Sequence, residues 1–180
     1  MYGIVNKAIQ DLITTNYGSE TWQSIKKRCD VDIDYFISTE PYDDDITYKL
    51  AGAAAEELNI TVSQVLFSFG EWWILKTSKE KYGSLIEAGG NHFREFMINL
   101  PSFHNRVMLI YPKLTPPEFR ISDIELRSLK LHYYSSRKGL TDFVHGLISG
   151  LGKLYETTIS IELLDSKYEG KTHDTFQIRW

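Results

Sequence analysis

Apolar residues recur at the spacing of a helix through roughly the first 110 residues of the chain. The first predicted helix ends near Gly18. Its apolar face consists of Ile4, Val5, Ala8, Ile9, Leu12 and Ile13. Ser19 is predicted to cap a second helix that runs through Cys29. A third helix is predicted over residues 43–59, because its three acidic residues at the start complement the helix dipole.

One N-cap residue and two prolines determine where the next predicted helices begin and end. Thr61 is predicted to cap a fourth helix over residues 61–77, and a fifth is predicted over residues 84–99. Pro101 lacks an N–H and its ring collides with the preceding turn, so we predict that the helix breaks there. Because proline is favourable in a first turn, a new helix is predicted to restart at Pro101 and to stop before Pro112.

The pattern changes after Pro116 and Pro117, which mark a predicted boundary between two lobes. Alternating and β-prone residues predict strands over 119–126, 128–137, 157–165 and 175–180, and a helix over 140–155. These elements predict an α+β fold in a single domain. A helical N-terminal lobe, about residues 1–112, precedes a C-terminal lobe, about residues 113–180, in which a long helix packs on an antiparallel sheet.

Composition excludes several classes of function. The 180 residues are 42% hydrophobic and 13% aromatic, which is typical of an ordered globular protein. The net charge of -4 and the lack of a basic stripe argue against nucleic acid as a partner. No signal peptide or membrane segment is predicted, because the N-terminal helix is interrupted by Asn6, Lys7, Gln10 and Asp11. The lone Cys29 excludes a disulfide framework and a thiolate zinc cage, and it fits a reducing cytoplasm.

Tyr133, Ser135 and Arg137 occupy alternate positions of a predicted strand. Side chains alternate between the faces of a sheet, so these three are expected to lie on one face. Two hydroxyls and a guanidinium can bind an anion, and a guanidinium suits a carboxylate in particular. The sequence therefore predicts an anion-binding clamp.

His104 lies one turn after Leu100 and one turn before Val107, on the apolar face of its predicted helix. One interpretation is a core histidine with a backbone hydrogen-bond partner. The other is an axial ligand of haem iron, which a neutral imidazole in an apolar pocket can provide. The other histidines lack the sequence spacing of a zinc site and are interpreted as solvated or packing residues; they are His92, His132, His145 and His173.

Gly146 and Gly150 stand four residues apart on the long predicted helix and flatten one part of its surface. This surface can serve tight packing onto the sheet or the approach of a flat ligand. A flat apolar ligand with anionic edges, such as haem, would explain the histidine, the glycines and the clamp together.

Several segments, in their order along the chain, resemble the bacterial haem nitric oxide/oxygen-binding (H-NOX) family, relatives of the sensor domain of soluble guanylate cyclase. The segments are MYGIVNKAIQDLI, FGEWW, LPSFHNRV, PPEF, HYYSSR and GLISGLGK. The resemblance covers essentially the whole chain, and its most specific part is the Tyr-x-Ser-x-Arg motif with an upstream histidine. It implies haem b (iron protoporphyrin IX) between the two lobes, and a sensor without catalytic activity.

The resemblance also implies roles for individual residues. His104 is expected to bind the iron, and Tyr133, Ser135 and Arg137 are expected to bind the haem propionates. Pro117 matches the family proline that presses on the porphyrin. The other expected contacts of the haem are Ile4, Val5, Trp73, Phe143 and Leu147.

The residue at position 143 predicts which gas is bound. Oxygen-binding members of the family resemble one another in a tyrosine three positions before the first glycine of the long helix; here that position is Phe143. Trp73 offers an apolar wall or a weak indole donor. Bound oxygen needs a strong hydroxyl donor, whereas nitric oxide and carbon monoxide do not. We therefore expect binding of nitric oxide and CO, and exclusion of oxygen.

The resemblance implies a mechanical signal. Nitric oxide weakens or breaks the bond between the iron and His104, and the helical lobe then shifts against the sheet lobe. The chain shows no phosphate-binding glycine loop or nucleophile elbow, so the output is expected in a separate histidine kinase or cyclic di-GMP synthase or phosphodiesterase. Two alternatives stay open at this point: a cofactor-free anion-binding module, and a haem enzyme of the peroxidase type, which would need distal acid–base groups.

Overall fold

The computed structural model describes residues 1–109 and 115–180. The first range contains α1 (Gly3–Tyr17), α2 (Ser19–Arg28), α3 (Asp44–Leu58), α4 (Val62–Trp72), a π-helix (Trp73–Ser78), α5 (Lys79–Glu87) and α6 (Phe93–Met108). The second contains β1 (Glu118–Ser122), β2 (Ser128–Tyr134), α7 (Thr141–Leu154), β3 (Ser160–Asp165), a 3₁₀ turn (Lys167–Glu169) and β4 (Asp174–Arg179). The predicted α+β fold is confirmed. The predicted helix end before Pro112 and the lobe boundary at 112/113 lie outside the described residues.

Side-chain caps explain where α3 and α4 begin. Thr61 Oγ1 accepts a hydrogen bond from the backbone N–H of Gln64 at 3.1 Å, and Gln64 Oε1 accepts from the backbone N–H of Thr61 at 2.9 Å. This capping box confirms the predicted cap of α4. Asp43 caps α3 in a similar way. The predicted Ser19 cap was wrong, because Ser19 is already the first helical residue of α2. The N-cap position is occupied by Gly18, which has a φ of 90° and also ends α1.

Helix α6 passes through Pro101 without interruption, so the predicted break was wrong. An interior proline costs about 3 kcal/mol. Burial of one apolar face shared by both halves of the helix offsets this cost. The buried residues of this face are Phe93, Phe96, Met97, Leu100 and Val107. The predicted helix over 84–99 was also wrong, since α5 ends at Glu87 and α6 begins after its own cap, His92.

An irregular continuous helix runs from Val62 to Glu87. It consists of α4, the π-helix and α5, and it has a kink at Tyr82, where φ of -131° and ψ of 23° are not helical. Such π-helical segments are frequent at functional sites. Here the irregular part contributes Trp73, Ser78 and Tyr82 to the wall of one interior cavity.

The strands of residues 115–180 form an antiparallel sheet in the order β1-β2-β4-β3. Its inner face packs against α6 and α7 through Leu129, Leu131, Phe176 and Ile178. Strand β1 is shorter than the predicted segment 119–126 because Asp123 has a φ of 49°, which ends the strand. Strand β2 ends at Tyr134, so Ser135 and Arg137 lie beyond the strand and not on its face.

Glycines allow α7 to pack directly on the backbone of α4. A Cβ atom on Gly146 would lie 2.1 Å from the carbonyl oxygen of Phe67, and one on Gly70 would lie 2.2 Å from that of Phe143. A Cβ atom on Gly150 would lie 2.9 Å from Ile74 Cβ and 3.2 Å from Glu71 Cα, both in the helical lobe. Both interpretations of Gly146 and Gly150 were therefore wrong, because these glycines face neither the sheet nor a ligand. None of the helices within 1–109 and 115–180 is both long and apolar enough to cross a lipid bilayer.

Candidate functional site

One cavity lies between the helical lobe and the lobe that contains the sheet. All the site residues predicted from the sequence line it: Ile4, Val5, Trp73, His104, Pro117, Tyr133, Ser135, Arg137, Phe143 and Leu147. They come from α1, the π-helix, α6, β2, α7 and two connecting segments. The fold thus brings together residues that are spread over most of the chain.

His104 projects from α6 among aromatic residues. Its ring stacks on Phe119 of β1, with ring centroids 5.3 Å apart and planes at 16°, and lies edge-on to Phe103 at 6.0 Å. The Nδ1 atom of His104 is buried and has no hydrogen-bond partner within the described part of the chain. A core histidine satisfied by a backbone partner does not fit this atom, because buried polar atoms are normally hydrogen-bonded.

Burial also keeps the His104 imidazole neutral. Desolvation lowers the pKa of His104 from 6.5 to about 4, because the charged ring is poorly solvated in this environment. At neutral pH the ring therefore has one unprotonated nitrogen with a lone pair. That is the form of histidine that binds transition metals.

Strand β2 and the turn after it bring Tyr133, Ser135 and Arg137 to the same cavity. Tyr133 is buried on the inner face of β2; burial raises its pKa, and its hydroxyl hydrogen-bonds Ser135. Ser135 Oγ accepts from the backbone N–H of Arg137 at 3.1 Å, which closes the turn. Lys167 Nζ donates to the carbonyl oxygen of Ser135 at 2.5 Å, and this hydrogen bond stabilises the turn. The three residues meet at the cavity because of this turn, and not through strand alternation.

Arg137 binds a carboxylate of the protein itself. Its Nε donates to Asp44 Oδ2 at 2.7 Å, and its Nη1 donates to the carbonyl oxygen of Thr115 at 2.8 Å. The other carboxylate oxygen of Asp44 accepts from the N-terminal ammonium of Met1. Asp44 therefore connects α3, the start of the chain and the turn after β2. The sequence analysis missed this role, because no local pattern reveals a contact across 93 positions.

Replacing Asp44 by asparagine should lower the free energy of unfolding by about 1 kcal/mol near neutral pH. Burial alone would raise the pKa of Asp44, but hydrogen bonds from Arg137 and the amino terminus outweigh it and hold the pKa below 3.8. A carboxyl with a lowered folded pKa stabilises the protein above its unfolded pKa, and this contribution is lost as the pH falls through the folded pKa. Urea unfolding of wild type and Asp44→Asn should therefore differ at neutral pH and converge in strong acid.

The matched control for this change is Asp43→Asn, which removes a neighbouring charge and keeps a residue that caps α3 equally well. It should leave the pH dependence of unfolding close to that of wild type. The same pH-dependent loss in both variants would contradict a specific role of Asp44.

Aromatic and aliphatic residues form another wall of the cavity. Phe143 of α7 packs on Phe69 with ring centroids 4.8 Å apart, and Phe69 meets Trp73 edge-on at 6.0 Å. Ile4 and Val5 of α1 add aliphatic surface. This wall can hold a large apolar ring but supplies no strong hydroxyl donor from α7.

Three phenols that the sequence analysis missed also line the cavity: Tyr2, Tyr48 and Tyr82. Tyr2 and Tyr82 are each 7% exposed and cluster with Ile4 and Val107. The sequence pattern points to a hydroxyl donor only at the positions around Phe143 on α7. Tyr82 reaches the cavity through the irregular helix, for which the sequence has no recognisable signal.

Comparison with known families identifies this arrangement. A family model described as "Haem-NO-binding" matches residues 2–163. The chain belongs to this family. Its members are also called H-NOX domains; they are haem-based gas sensors, and their cofactor is haem b. The resemblance seen in the sequence is thereby confirmed.

Relatives of this H-NOX chain include much longer proteins. Soluble guanylate cyclase gcy-31 from Caenorhabditis elegans is 28% identical over 170 residues, which cover 94% of this chain and 24% of the relative. Soluble guanylate cyclase 89Db from Drosophila melanogaster is 23% identical over 168 residues, covering 93% of this chain and 25% of the relative. The chain thus spans about a quarter of the length of these curated relatives.

Solved structures show the same fold. An H-NOX protein from S. oneidensis in the Fe(II)NO ligation state matches with a TM-score of 0.90 at 18% identity, covering 99% of this chain and 98% of that one. The unliganded Fe(II) H-NOX protein from K. algicida matches with a TM-score of 0.86 at 22% identity, covering 99% and 96%. At these low sequence identities, the comparison shows that this chain and the two solved structures share a fold.

The side chains around the cavity fit haem. The aromatic and aliphatic wall suits a porphyrin, and His104, whose imidazole is neutral, lines the same cavity. Arg137 already holds a carboxylate, which is the chemical group of a haem propionate.

Proposed function

We propose that this H-NOX chain senses nitric oxide, that CO binds at the same place, and that oxygen is excluded. When bound, haem would supply an iron centre that can bind a diatomic gas. The observation that carries the proposal is the apolar wall of Phe143, Phe69 and Trp73, which has no tyrosine on α7. Without a hydroxyl donor from α7, bound oxygen is expected to lose its main stabilisation, whereas nitric oxide and CO need no such donor.

His104 is proposed as the ligand of the iron. A histidine that binds a metal usually donates its second ring N–H to an oxygen acceptor, which makes it a stronger ligand. The Nδ1 atom of His104 has no such acceptor within the described part of the chain. We therefore infer that His104 is a weak ligand and is easily released.

Tyr133, Ser135 and Arg137 are proposed to bind the propionates. A guanidinium has five N–H donors, so Arg137 can hold a further carboxylate while it keeps its contacts with Asp44 and Thr115. The hydroxyls of Tyr133 and Ser135 supply neutral donors beside it. Pro117 lines the same cavity with a rigid ring and is proposed to press on the porphyrin.

The signal is proposed to leave through α6, within a single domain that comprises both lobes. The ring of His104 stacks on Phe119 of β1, so α6 couples the iron ligand to the sheet. Pro101 lies one turn before His104 and removes one backbone hydrogen bond from α6, which makes the helix easier to deform at this point. Release of His104 would therefore let the end of α6 move against β1, and the lobes would shift relative to one another.

The chain itself is proposed to be a regulatory domain without catalytic activity. Its output would then lie in a separate cytoplasmic enzyme, a histidine kinase or a cyclic di-GMP synthase or phosphodiesterase. The absence of phosphate-binding and nucleophile motifs from the sequence supports this assignment. The relatives named as guanylate cyclases match this chain over only about a quarter of their length, and this also supports a division between sensor and output.

The proposal is tested by the visible absorption spectrum of the haem-loaded protein, reduced without air. Nitric oxide and CO should each change the spectrum, and air should leave it unchanged until the iron oxidises. A stable oxygen complex would end the proposal of oxygen exclusion. Tyr2→Phe and Tyr82→Phe would then show which phenol supplies the donor.

A Phe143→Tyr variant should gain oxygen binding. The added hydroxyl would donate a hydrogen bond within the apolar wall, and such a bond is worth about 1.5–3 kcal/mol, or about 10- to 150-fold in affinity, when its acceptor carries charge. Oxygen titration of the reduced protein measures the gain. Phe143→Leu is the control, because it removes the ring without adding a donor; equal oxygen affinity in both variants would contradict the role of position 143.

A further inference from the structure

Two histidines face each other on the outer side of the sheet, away from the haem cavity. His132 lies on β2 and His173 immediately precedes β4, and His132 Nδ1 is 3.1 Å from His173 Nε2. Two nitrogens bound to one tetrahedral zinc ion, each at 2.0–2.1 Å, lie about 3.3 Å apart. The pair therefore has nearly the spacing that a shared metal ion requires. The two residues are 41 positions apart, so sequence spacing could not reveal them.

The outer nitrogen of each ring meets a hydroxyl group. Ser122 Oγ lies 2.8 Å from His132 Nε2, and Thr172 Oγ1 lies 3.0 Å from His173 Nδ1. Histidines that bind metals usually donate their outer N–H to an oxygen acceptor, which fixes both the ring and the tautomer. Both rings of this pair have such an acceptor in place.

Neighbouring groups hold the two rings. Tyr134 stacks on His173 with ring centroids 4.2 Å apart and planes at 19°, and Thr175 Oγ1 lies 3.4 Å from His132 Nδ1. Burial, and then the proximity of His173, lower the pKa of His132. The neutral ring, which metal binding requires, is thereby favoured near neutral pH.

We propose that His132 Nδ1 and His173 Nε2 together bind one divalent transition-metal ion of the zinc type. Without metal, the inner N–H of one ring donates a hydrogen bond to the inner nitrogen of the other across the 3.1 Å gap. When metal binds, that ring changes tautomer: its proton moves to its own outer nitrogen, whose N–H then donates to the hydroxyl of Ser122 or Thr172, so no net proton is lost. Within the described ranges no third histidine, cysteine or carboxylate joins the pair, so water completes the coordination.

Calorimetric titration of the haem-loaded protein with zinc chloride should show one saturable site. This site should be lost in His173→Gln and, independently, in His132→Gln. Ser122→Ala and Thr172→Val keep both ligands but remove a hydroxyl acceptor, and each should weaken zinc binding by about 10- to 100-fold. Zinc should also raise the melting temperature of the wild type and not that of the histidine variants, because a ligand that binds the folded state stabilises it.

His92→Asn is the matched control, because it removes an exposed histidine and keeps a good cap for α6. It should retain the zinc site at wild-type affinity. An unchanged haem absorption spectrum in each variant shows that it is folded. Saturable zinc binding that persists in both histidine variants, or its absence from the wild type, would overturn the proposal.

Discussion

A His104→Gly protein should lose the five-coordinate haem spectrum of the wild type and regain a similar one when imidazole is supplied. Among the described residues that line the cavity, His104 provides the imidazole, and its low pKa keeps it unprotonated. Glycine removes the ligand and leaves a space in which free imidazole can bind. The absorption spectrum of the reduced protein, purified with and without imidazole, measures the effect.

His145→Gln is the control for this experiment. His145 is partly buried and lies edge-on to Phe67, at 5.2 Å, without lining the cavity. Its replacement should leave the haem spectrum unchanged. If a His104→Ala protein grown without imidazole kept the wild-type five-coordinate spectrum, His104 would not be the ligand.

Gly146→Ala should destabilise the folded protein by about 3 kcal/mol, near the upper end of the usual cost of overpacking. The added methyl group would lie 2.1 Å from the carbonyl oxygen of Phe67 and 3.0 Å from its Cα. Backbone atoms cannot rotate away as a side chain can, so α4 and α7 would have to separate. Urea unfolding at neutral pH, with haem bound in both proteins, measures the loss.

Gly52→Ala, at another helical glycine, should instead increase the stability of the folded protein. A Cβ atom at Gly52 of α3 meets nothing within 4 Å, so alanine should stabilise the protein by about 0.5–1 kcal/mol through its better helix propensity. If Gly146→Ala were as stable as Gly52→Ala, the close approach of α4 and α7 would not exist in solution.

The features that could be predicted from the sequence depend on short segments. Thr61 and Gln64 form a capping box within four residues, and helical periodicity alone places His104 on the apolar face of its helix. Tyr133 and Arg137 belong to one compact motif, so an error about where the strand ends did not separate them. These residues line the expected cavity, and their roles toward haem stay predictions that the experiments above test.

The features that could not be predicted depend on distant parts of the chain. Pro101 is tolerated because both halves of α6 bury one continuous face, and local propensity does not include that burial. Asp44 has the same local sequence whether or not Arg137 lies opposite. Gly146 and Gly70 are explained only by the partner helix that each contacts. In each case tertiary packing decided the outcome.

The π-helix determines which side chains of one long helix can line the cavity between the lobes. In an uninterrupted α-helix Tyr82 would follow Trp73 by about two and a half turns and would lie on the opposite side. Both residues nevertheless line the cavity. The i→i+5 turns of the π-helix rotate the chain by a smaller angle per residue than an α-helix does, and the non-helical backbone at Tyr82 changes the direction of its side chain further. Deleting a single residue from this segment would shift the rotation of everything after it and turn Tyr82 away from the cavity. A change of one residue in length could therefore alter the pocket more than most substitutions within it.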